Sequence, residues 1–157
     1  MQAPVKQRYQ EDPQAALITL RAASRLDEGI TCNVETGRAL VKAGLHKATG
    51  GSGMAACSGD MLLQALVACA GVTMRSVATS LEMEVSGTVR AEGDLDFRGT
   101  LGVDKEAPVG FTAIRLLFDL DSDADQEQLD TLLRLTERYC VVFQTLANQP
   151  TLSASFA

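Results

Sequence analysis

The N-terminal part of the chain alternates apolar and polar residues in short runs that end at turn-forming residues. Three such runs are predicted as strands: residues 17–25, 30–36 and 38–43. Short alternating runs separated by turn residues are typical of an antiparallel β-meander. Residues 46–59 are small and rich in glycine, so they are predicted to form a loop, and residues 1–16 are predicted to be a flexible or edge segment.

A long helix is predicted from Ser58 to about Leu81. Asp60 falls in its first turn, where a carboxylate stabilises the positive end of the helix dipole. The first half of this helix, from Met61 to Met74, is apolar on almost every face. A helix of that kind has to be covered on all sides. One chain of this length with a small sheet offers too little cover, so we expect a second copy of the chain to supply it.

The second half of the chain predicts two more strands and a second helix. The strands are expected at residues 83–96 and 112–120, with a loop between them, and the acidic stretch from Asp119 to Asp130 is expected to open the helix. Cys140 lies near the end of that helix on its apolar stripe, and residues 151–156 are predicted as an edge strand. Strands around two helices without repeated βαβ units indicate a single α+β domain over residues 1–157.

Composition and charge restrict the partners. The chain has 14 Lys and Arg residues against 20 Asp and Glu residues, which gives a net charge of −6. Nucleic acids and anionic membranes both require a basic face, so neither is expected as a partner. The longest uncharged apolar stretch, residues 61–74, is shorter than the roughly 20 residues that a membrane span needs. With no signal-like start, the chain is predicted to be cytoplasmic.

Four cysteines are the main candidates for chemistry. They are Cys32, Cys57, Cys69 and Cys140, without any Cys-x-x-Cys pair and with His46 as the lone histidine. Zinc sites require closely spaced ligand pairs, so we expect no metal, and no cofactor is predicted. Cys32 and Cys57 are interpreted as spectator thiols, and the alternative for Cys57, in the loop just before the long helix, is a place near the entrance of a site. Cys69 has mostly small neighbours, which leave room for a reactant to approach its sulfur.

Two motifs carry a resemblance to a known family. The first joins Gly50-Gly51 to the run from Ser58 to Cys69, and the second joins the segment Pro108–Phe111 to Glu137-x-x-Cys140. Both are similar to the signature of the OsmC/Ohr family, over roughly residues 17–156. The resemblance implies an intertwined homodimer of α+β subunits, in which antiparallel sheets wrap two central helices.

The resemblance also implies a thiol-dependent peroxidase. Cys69 matches the peroxidatic position, which attacks an organic hydroperoxide, and Cys140 matches the resolving position, which forms a disulfide with it. A dithiol reductant, either a small thiol or a lipoyl-type group, then reopens the disulfide. Four residues are predicted to line an apolar pocket that favours bulky peroxides over hydrogen peroxide: Leu62, Leu66, Val72 and Phe143.

A thiol peroxidase needs a group that stabilises its thiolate, because an ordinary cysteine is mostly protonated at neutral pH. Cys69 lies too far along its helix to gain from the helix dipole. Arg75 follows six residues later, about 240° around the helix, and points elsewhere. The family supplies an arginine from the N-terminal strands, for which the candidates in order are Arg25, Arg21 and Arg38. Asp60 is predicted to position that arginine.

Three positions depart from the family pattern and keep an alternative open. Ser58 and Gly59 stand where peroxidase members carry Pro and Glu, and Val141 follows Cys140 in place of Pro. The alternative is a non-catalytic protein of the same fold that binds a small apolar ligand. A hydrolase that pairs Cys69 with His46 is disfavoured, since the sequence indicates neither an orienting group nor an oxyanion hole.

Overall fold

The structure is a computed structural model that describes residue 11 and residues 23–26, 31–35, 40–102 and 104–156. The chain divides into two compact units, residues 1–43 and residues 44–157. Each unit is described by itself below.

The first unit contains the predicted meander. Its strands are β1 (Ala23–Leu26), β2 (Thr31–Glu35) and β3 (Leu40–Gly44), with β2 in the middle. Strands β1 and β2 are antiparallel, with Ala23 opposite Glu35 and Leu26 opposite Cys32. The described strands confirm the predicted order. The remaining residues predicted as strands in this unit lie outside the described residues.

The glycine-rich segment that follows is a compact loop with a short element at each end. A 3₁₀ turn covers Lys47–Thr49, and the two-residue strand β4 covers Ala56–Cys57. Gly50 has φ of 88°, in the left-handed region that favours glycine. A Cβ atom on Gly51 would lie 1.8 Å from the carbonyl oxygen of Leu45, so no other residue fits this turn.

Helix α1 (Ser58–Ser80) agrees closely with the predicted long helix. Its buried residues form one stripe at helical spacing: Leu66, Ala70, Met74, Val77 and Ala78. Within the described residues, α1 is the one helix whose length and composition alone would allow it to cross a membrane. The central helix of a soluble protein has the same properties, and α1 packs against the other elements of the second unit.

Strands β5 (Ser86–Leu95) and β6 (Phe111–Asp121) form a long antiparallel hairpin. Alternate residues face α1, so that Val89 lies opposite Phe118 and Ala91 lies opposite Leu116. Gly93 has no room for a side chain, because a Cβ atom there would lie 2.4 Å from the Phe111 ring. The connection contains a one-turn helix, α2 (Phe97–Thr100), where the sequence predicted a loop.

The second unit ends in two consecutive helices, α3 (Gln126–Tyr139) and α4 (Val141–Ala147). Strand β6 continues to Asp121, into the acidic stretch that was predicted to open the helix. Asp125 then begins α3 with a capping box, in which its carboxylate accepts from the Gln128 backbone N–H.

The prediction of an edge strand at the C-terminal residues 151–156 is wrong. Residues 151–156 adopt no regular secondary structure and are exposed, including the apolar side chains of Leu152 and Phe156. Alternating small and apolar residues are compatible with a strand. A strand forms, however, only where another strand supplies hydrogen-bonding partners.

The largest buried cluster holds the C-terminal half of α1 against α3 and the hairpin. It comprises Met74, Val77, Ala78, Val85 and Leu132, surrounded by Met83, Phe118, Leu120 and Leu135. Two helices packed on one face of an antiparallel hairpin confirm the predicted α+β class. The N-terminal half of α1 lies beyond this cluster, toward α4, and there it carries Cys69.

Candidate functional site

Cys140 occupies the junction between α3 and α4, directly after the last residue of α3, which agrees with its predicted place near the end of that helix. Its backbone is extended, with φ of −75° and ψ of 107°, so that it ends α3 and starts α4. Its N–H donates to the Thr136 carbonyl, and its own carbonyl accepts from the Gln144 N–H, both at 2.9 Å. The helix axis therefore breaks at the cysteine, and the Cys140 side chain is fully buried in the chain.

Cys69 lies on α1 where this helix contacts α4. Its side chain is half-buried, and both Cys69 and Cys140 are free thiols. The two thiols lie close enough for each to shift the pKa of the other. Two cysteines 71 residues apart in the sequence are thus brought together. Their proximity is the central feature of the candidate site.

The surroundings of Cys69 favour its thiolate. Burial raises the pKa of the Cys69 thiol, but hydrogen bonds to its sulfur outweigh this effect and bring the pKa below its ordinary value. The donors, in order of their effect, are the Val142 backbone N–H, the Cys140 thiol, the Val141 backbone N–H and the Thr73 hydroxyl.

The surroundings of Cys140 act in the opposite direction. Burial raises the pKa of the Cys140 thiol, and the Phe143 backbone N–H lowers it in part. The hydrogen bond to Cys69 and the negative charge of the Cys69 thiolate raise the pKa further. The two pKa values are therefore displaced in opposite directions, with the thiolate favoured at Cys69 and the thiol favoured at Cys140.

A mainly apolar cleft of about 570 Å³ is lined in part by residues that are close to the two cysteines in sequence. Its walls come from α1, β6 and α4, and include Leu62, Leu66, Phe111, Ile114, Phe143 and Leu146. Leu66 precedes Cys69 by one helical turn, and Phe143 follows Cys140 by three residues. Three of the four residues predicted to line a pocket do so. Val72 does not, since its side chain is 74% exposed on another face of α1.

The groups predicted to activate Cys69 are placed only in part. Asp60 lies in the first turn of α1 as predicted, with an exposed side chain that forms none of the ion pairs found among the described residues. Arg25 lies in β1, opposite Asn33. Arg21 and Arg38 lie outside the described residues. The roles assigned to Asp60 and Arg25 stay predictions.

The other candidates have structural surroundings. Arg75 donates to the Val85 carbonyl at 2.6 Å, away from Cys69 as predicted. His46 accepts from the Ala48 N–H through Nδ1 and stacks on the Phe97 ring, 5.2 Å between centroids. Cys57 is a free thiol at the start of α1.

Cys32 lies in β2, opposite Leu26. Within the part of the chain that is described, no three His, Cys, Asp or Glu side chains are grouped so as to hold a metal ion.

Sequence reasoning missed three of the four donors to Cys69. Motif analysis could not predict the Val141 and Val142 amides as donors. The sequence predicted the end of a single helix at the point where two helices meet. Thr73 had a detectable signal, since it follows Cys69 by four residues and therefore lies on the same helix face. The replacement of the usual proline by Val141 was noted, but its consequence, an added N–H donor, requires the observed geometry.

The comparisons with known proteins point to one family. The family model described as OsmC-like protein matches residues 50–155, which include both cysteines. No curated protein sequence matches the chain.

Several solved structures share the fold. An OsmC-like protein from Mycoplasma pneumoniae aligns with a TM-score of 0.69 at 16% identity, covering 84% of this chain and 89% of that one. The organic hydroperoxide resistance protein OhrB of Bacillus subtilis aligns with a TM-score of 0.58 at 15% identity, covering 84% and 93%. A Legionella pneumophila protein, named as organic hydroperoxide resistance protein OsmC, aligns with a TM-score of 0.60 at 15% identity, covering 84% and 91%.

Proposed function

Because the chain belongs to the OsmC-like protein family, we propose that it is a thiol-dependent peroxidase that reduces organic hydroperoxides. The observation that carries the proposal is the proximity of the Cys69 and Cys140 thiols, whose pKa values are shifted in opposite directions. Two structural relatives are named as organic hydroperoxide resistance proteins, which supports the same reaction.

The first proposed step uses Cys69 as the nucleophile. Its thiolate attacks the terminal oxygen of the hydroperoxide, the O–O bond breaks, and the alkoxide leaves with a proton as an alcohol. Cys69 becomes a sulfenic acid, and the peroxide is reduced by two electrons. The neighbouring cleft takes the organic part of the peroxide, and each CH₂ buried there contributes about 0.8 kcal/mol to binding. Bulky apolar peroxides are therefore preferred over hydrogen peroxide.

The second step uses Cys140. Its sulfur attacks the Cys69 sulfenic acid, the S–O bond breaks, and water leaves with the Cys140 proton. The result is a Cys69–Cys140 disulfide, a pairing supported by the mutual effect of the two thiols on their pKa values. A dithiol, either a small molecule or a lipoyl-type group, reduces this disulfide by thiol–disulfide exchange and is itself oxidised. Arg25, held by Asp60, is proposed to add positive charge near Cys69 when substrate is bound.

The active form is proposed to be a homodimer in the cytoplasm. The family consists of soluble proteins. Helix α1 buries one stripe of its surface in the chain but leaves Leu62 and Val72 exposed, together with the small residues Ala65 and Ala68. A second copy of α1 is the proposed cover, because apolar surfaces of this kind mark protein interfaces. Light scattering at micromolar concentration tests this, and a folded monomer would contradict it.

Steady-state turnover tests the proposed reaction. Cumene hydroperoxide, tert-butyl hydroperoxide and hydrogen peroxide are supplied with dithiothreitol to wild type, Cys69→Ser and Cys140→Ser. We expect faster turnover of the two organic peroxides by wild type and none by Cys69→Ser. Cys140→Ser should consume about one peroxide per Cys69 before a reductant acts. Cys57→Ser serves as the control and should match wild type. Turnover by Cys69→Ser at the wild-type rate would contradict the proposal.

The alternative is a non-catalytic protein that binds a small apolar ligand in the cleft. The size and apolar lining of the cleft favour this second candidate. If wild type binds a fluorescent apolar probe that Leu66→Trp excludes, while no peroxide is turned over, the binding function is the correct one.

A further inference from the structure

The ring of Phe111 rests on a glycine of the neighbouring strand. A Cβ atom on Gly93 would lie 2.4 Å from Cε1 and 2.6 Å from Cδ1 of Phe111, so the ring edge occupies the space that a side chain would fill. Phe111 also lines the cleft. We propose that Gly93 is a positioning residue, and that the Phe111 ring held against it sets the largest organic group that the cleft accepts. This role depends on the proposed function only in that the cleft holds the organic group.

A β-bulge redirects the Phe111 side chain. Asp94 lies opposite Ala113, whereas the next residue of β5, Leu95, lies opposite Phe111. Thr112, between the two β6 residues, is therefore an extra residue in its strand. Its hydroxyl donates to the Asp94 carbonyl at 3.1 Å, which holds the bulge in place. A bulge bends its strand and changes the direction of the neighbouring side chain, which here is the ring that lines the cleft.

The Phe111 ring is bounded by two elements and borders open space at the cleft. Gly93 of β5 lies against the edge of the ring. Near the tip of the ring, a Cβ atom on Gly59, in the first turn of α1, would lie 3.5 Å from Cζ. The cleft is the open space beside the ring. A ring pushed away from Gly93 therefore moves into the cleft and reduces the room for a ligand.

Alanine at position 93 would act through the ring and not through the backbone. Gly93 lies within β5 and is not among the described glycines that have a positive φ. Other residues adopt an extended backbone of this kind without strain. Carbon atoms pack at about 3.5–4.0 Å, so a methyl group 2.4 Å from a ring carbon forces the ring to move.

The experiment measures binding of N-phenyl-1-naphthylamine, a neutral aromatic probe, by fluorescence titration of the reduced full-length chain. Wild type, Gly93→Ala, Phe111→Val and the double variant are compared. We expect Gly93→Ala to raise the dissociation constant about tenfold, the effect of about one methylene in an apolar pocket. Valine lacks the ring atoms that lie against Gly93. In the Phe111→Val background, Gly93→Ala should therefore change the dissociation constant by less than about twofold.

Gly71→Ala is the matched control. Its added methyl would lie 3.9 Å from Val89 Cγ2, in ordinary contact, and Gly71 does not line the cleft. This variant should bind the probe as wild type does. An equal loss in Gly71→Ala would overturn the inference, because any added methyl would then have the same effect.

Four further results would overturn the role of Gly93. They are a wild type that does not bind the probe, a folded Gly93→Ala with the wild-type dissociation constant, an undiminished loss in the Phe111→Val background, and a double variant that fails to fold. If circular dichroism shows that Gly93→Ala alone is unfolded, a folded double variant supports the contact with the ring.

Peroxide turnover gives a second readout. Gly93→Ala should lower kcat/KM for cumene hydroperoxide more than for the smaller tert-butyl hydroperoxide, because the displaced ring excludes bulk. Equal losses for the two peroxides would contradict selection by size. Probe binding requires no turnover, so a wild type that binds the probe without reducing peroxide would contradict the peroxidase and leave the role of Gly93 standing.

Discussion

Helices α1 and α3 pack against each other, but they differ in how fully a single chain caps their ends and covers their apolar surfaces. Helix α3 begins with a capping box between Asp125 and Gln128, buries one face and presents charged residues on the other. Helix α1 has no side-chain hydrogen bond at its N-cap, Cys57, and carries exposed apolar side chains opposite its buried stripe. Helix α3 has one apolar face, which one packing partner covers. Helix α1 has apolar residues on several faces and requires more than one packing partner.

This difference distinguishes α3, which has a structural role, from α1, which carries Cys69 of the candidate site. Helix α3 ends at Cys140, where its last turn is closed by the Cys140 N–H and α4 starts at once. Helix α1 supplies the reactive sulfur in its middle, where its own backbone N–H groups are already used. The donors to Cys69 therefore come mostly from the α3–α4 junction. The α3–α4 junction supplies the donors that the backbone of α1 does not have free.

Val72→Glu is expected to have the largest effect, because it places a carboxylate on the exposed apolar face of α1. If a second α1 covers that face, an unpaired buried charge should weaken the dimer by about 10²- to 10³-fold. Analytical ultracentrifugation over a range of concentrations measures the dissociation constant. Leu133→Glu, at a residue of α3 that is 39% exposed, is the control and should leave the dimer intact. A Val72→Glu dimer as tight as wild type would mean that this face of α1 is not an interface.

Leu132→Ala tests the contribution of α3 to the core. The Leu132 side chain is fully buried against α1, and its truncation should lower the free energy of unfolding by about 2–5 kcal/mol. Urea denaturation measures the loss, at equal protein concentration because a dimer's stability depends on it. Leu133→Ala, one residue later and partly exposed, should cost less than about 1 kcal/mol. Equal losses for the two variants would contradict the assignment of the buried face.

Asp125→Ala tests the capping of α3. It removes the acceptor for the Gln128 N–H, and the free energy of unfolding should fall by about 1 kcal/mol. Asp123→Ala removes a nearby exposed carboxylate that has no capping role, so it should change stability by only a few tenths of that amount. Thermal and urea unfolding both report the difference. If Asp123→Ala were as destabilising as Asp125→Ala, general charge rather than capping would explain the loss.

Val141→Pro is expected to have the smallest effect and tests the help that Cys69 receives from the junction. Proline suits the first residue of a helix, and the extended backbone of Cys140 is compatible with a following proline. The change removes one N–H donor, so the pKa of Cys69 should rise. Alkylation below that pKa should slow about two- to threefold.

Val141→Ala is the matched control for Val141→Pro, because it keeps the N–H and shortens a side chain that is already exposed. Its alkylation profile should equal that of wild type. If Val141→Pro left the profile unchanged while α4 stayed folded, the Val141 amide would have no part in stabilising the thiolate.

The elements with regular patterns were predictable. The long helix and both hairpin strands were predicted within a few residues of their observed ends, because apolar spacing records which face of an element is buried. The start of α3 was less accurate. The acidic residues 119–130 look uniform in sequence, and only the backbone shows that Asp125 caps the helix while Asp121 still belongs to the strand.

The candidate site was predictable to the level of its two cysteines. Their identity came from local motifs, but neither motif contains the geometry that relates them. The separate helix α4 directly after Cys140 was missed, because residues 129–143 keep one apolar spacing through the break. The amide and hydroxyl donors were missed for the same reason, since hydrogen bonds depend on direction and distance and not on residue type alone.

The sequence by itself determined the class of fold, the apolar character of α1 and the two cysteines that are proposed to react. These properties depend on composition and spacing, which act locally along the chain. Tertiary structure decided that the pKa of Cys69 is lowered and that the pKa of Cys140 is raised. Burial, two amides, a hydroxyl and a neighbouring thiol act on Cys69 together, and contacts between distant parts of the chain exist only after α1, α3 and α4 have packed. Electrostatic effects fall off over a few ångströms, so the opposite shifts of the two pKa values had to await that packing.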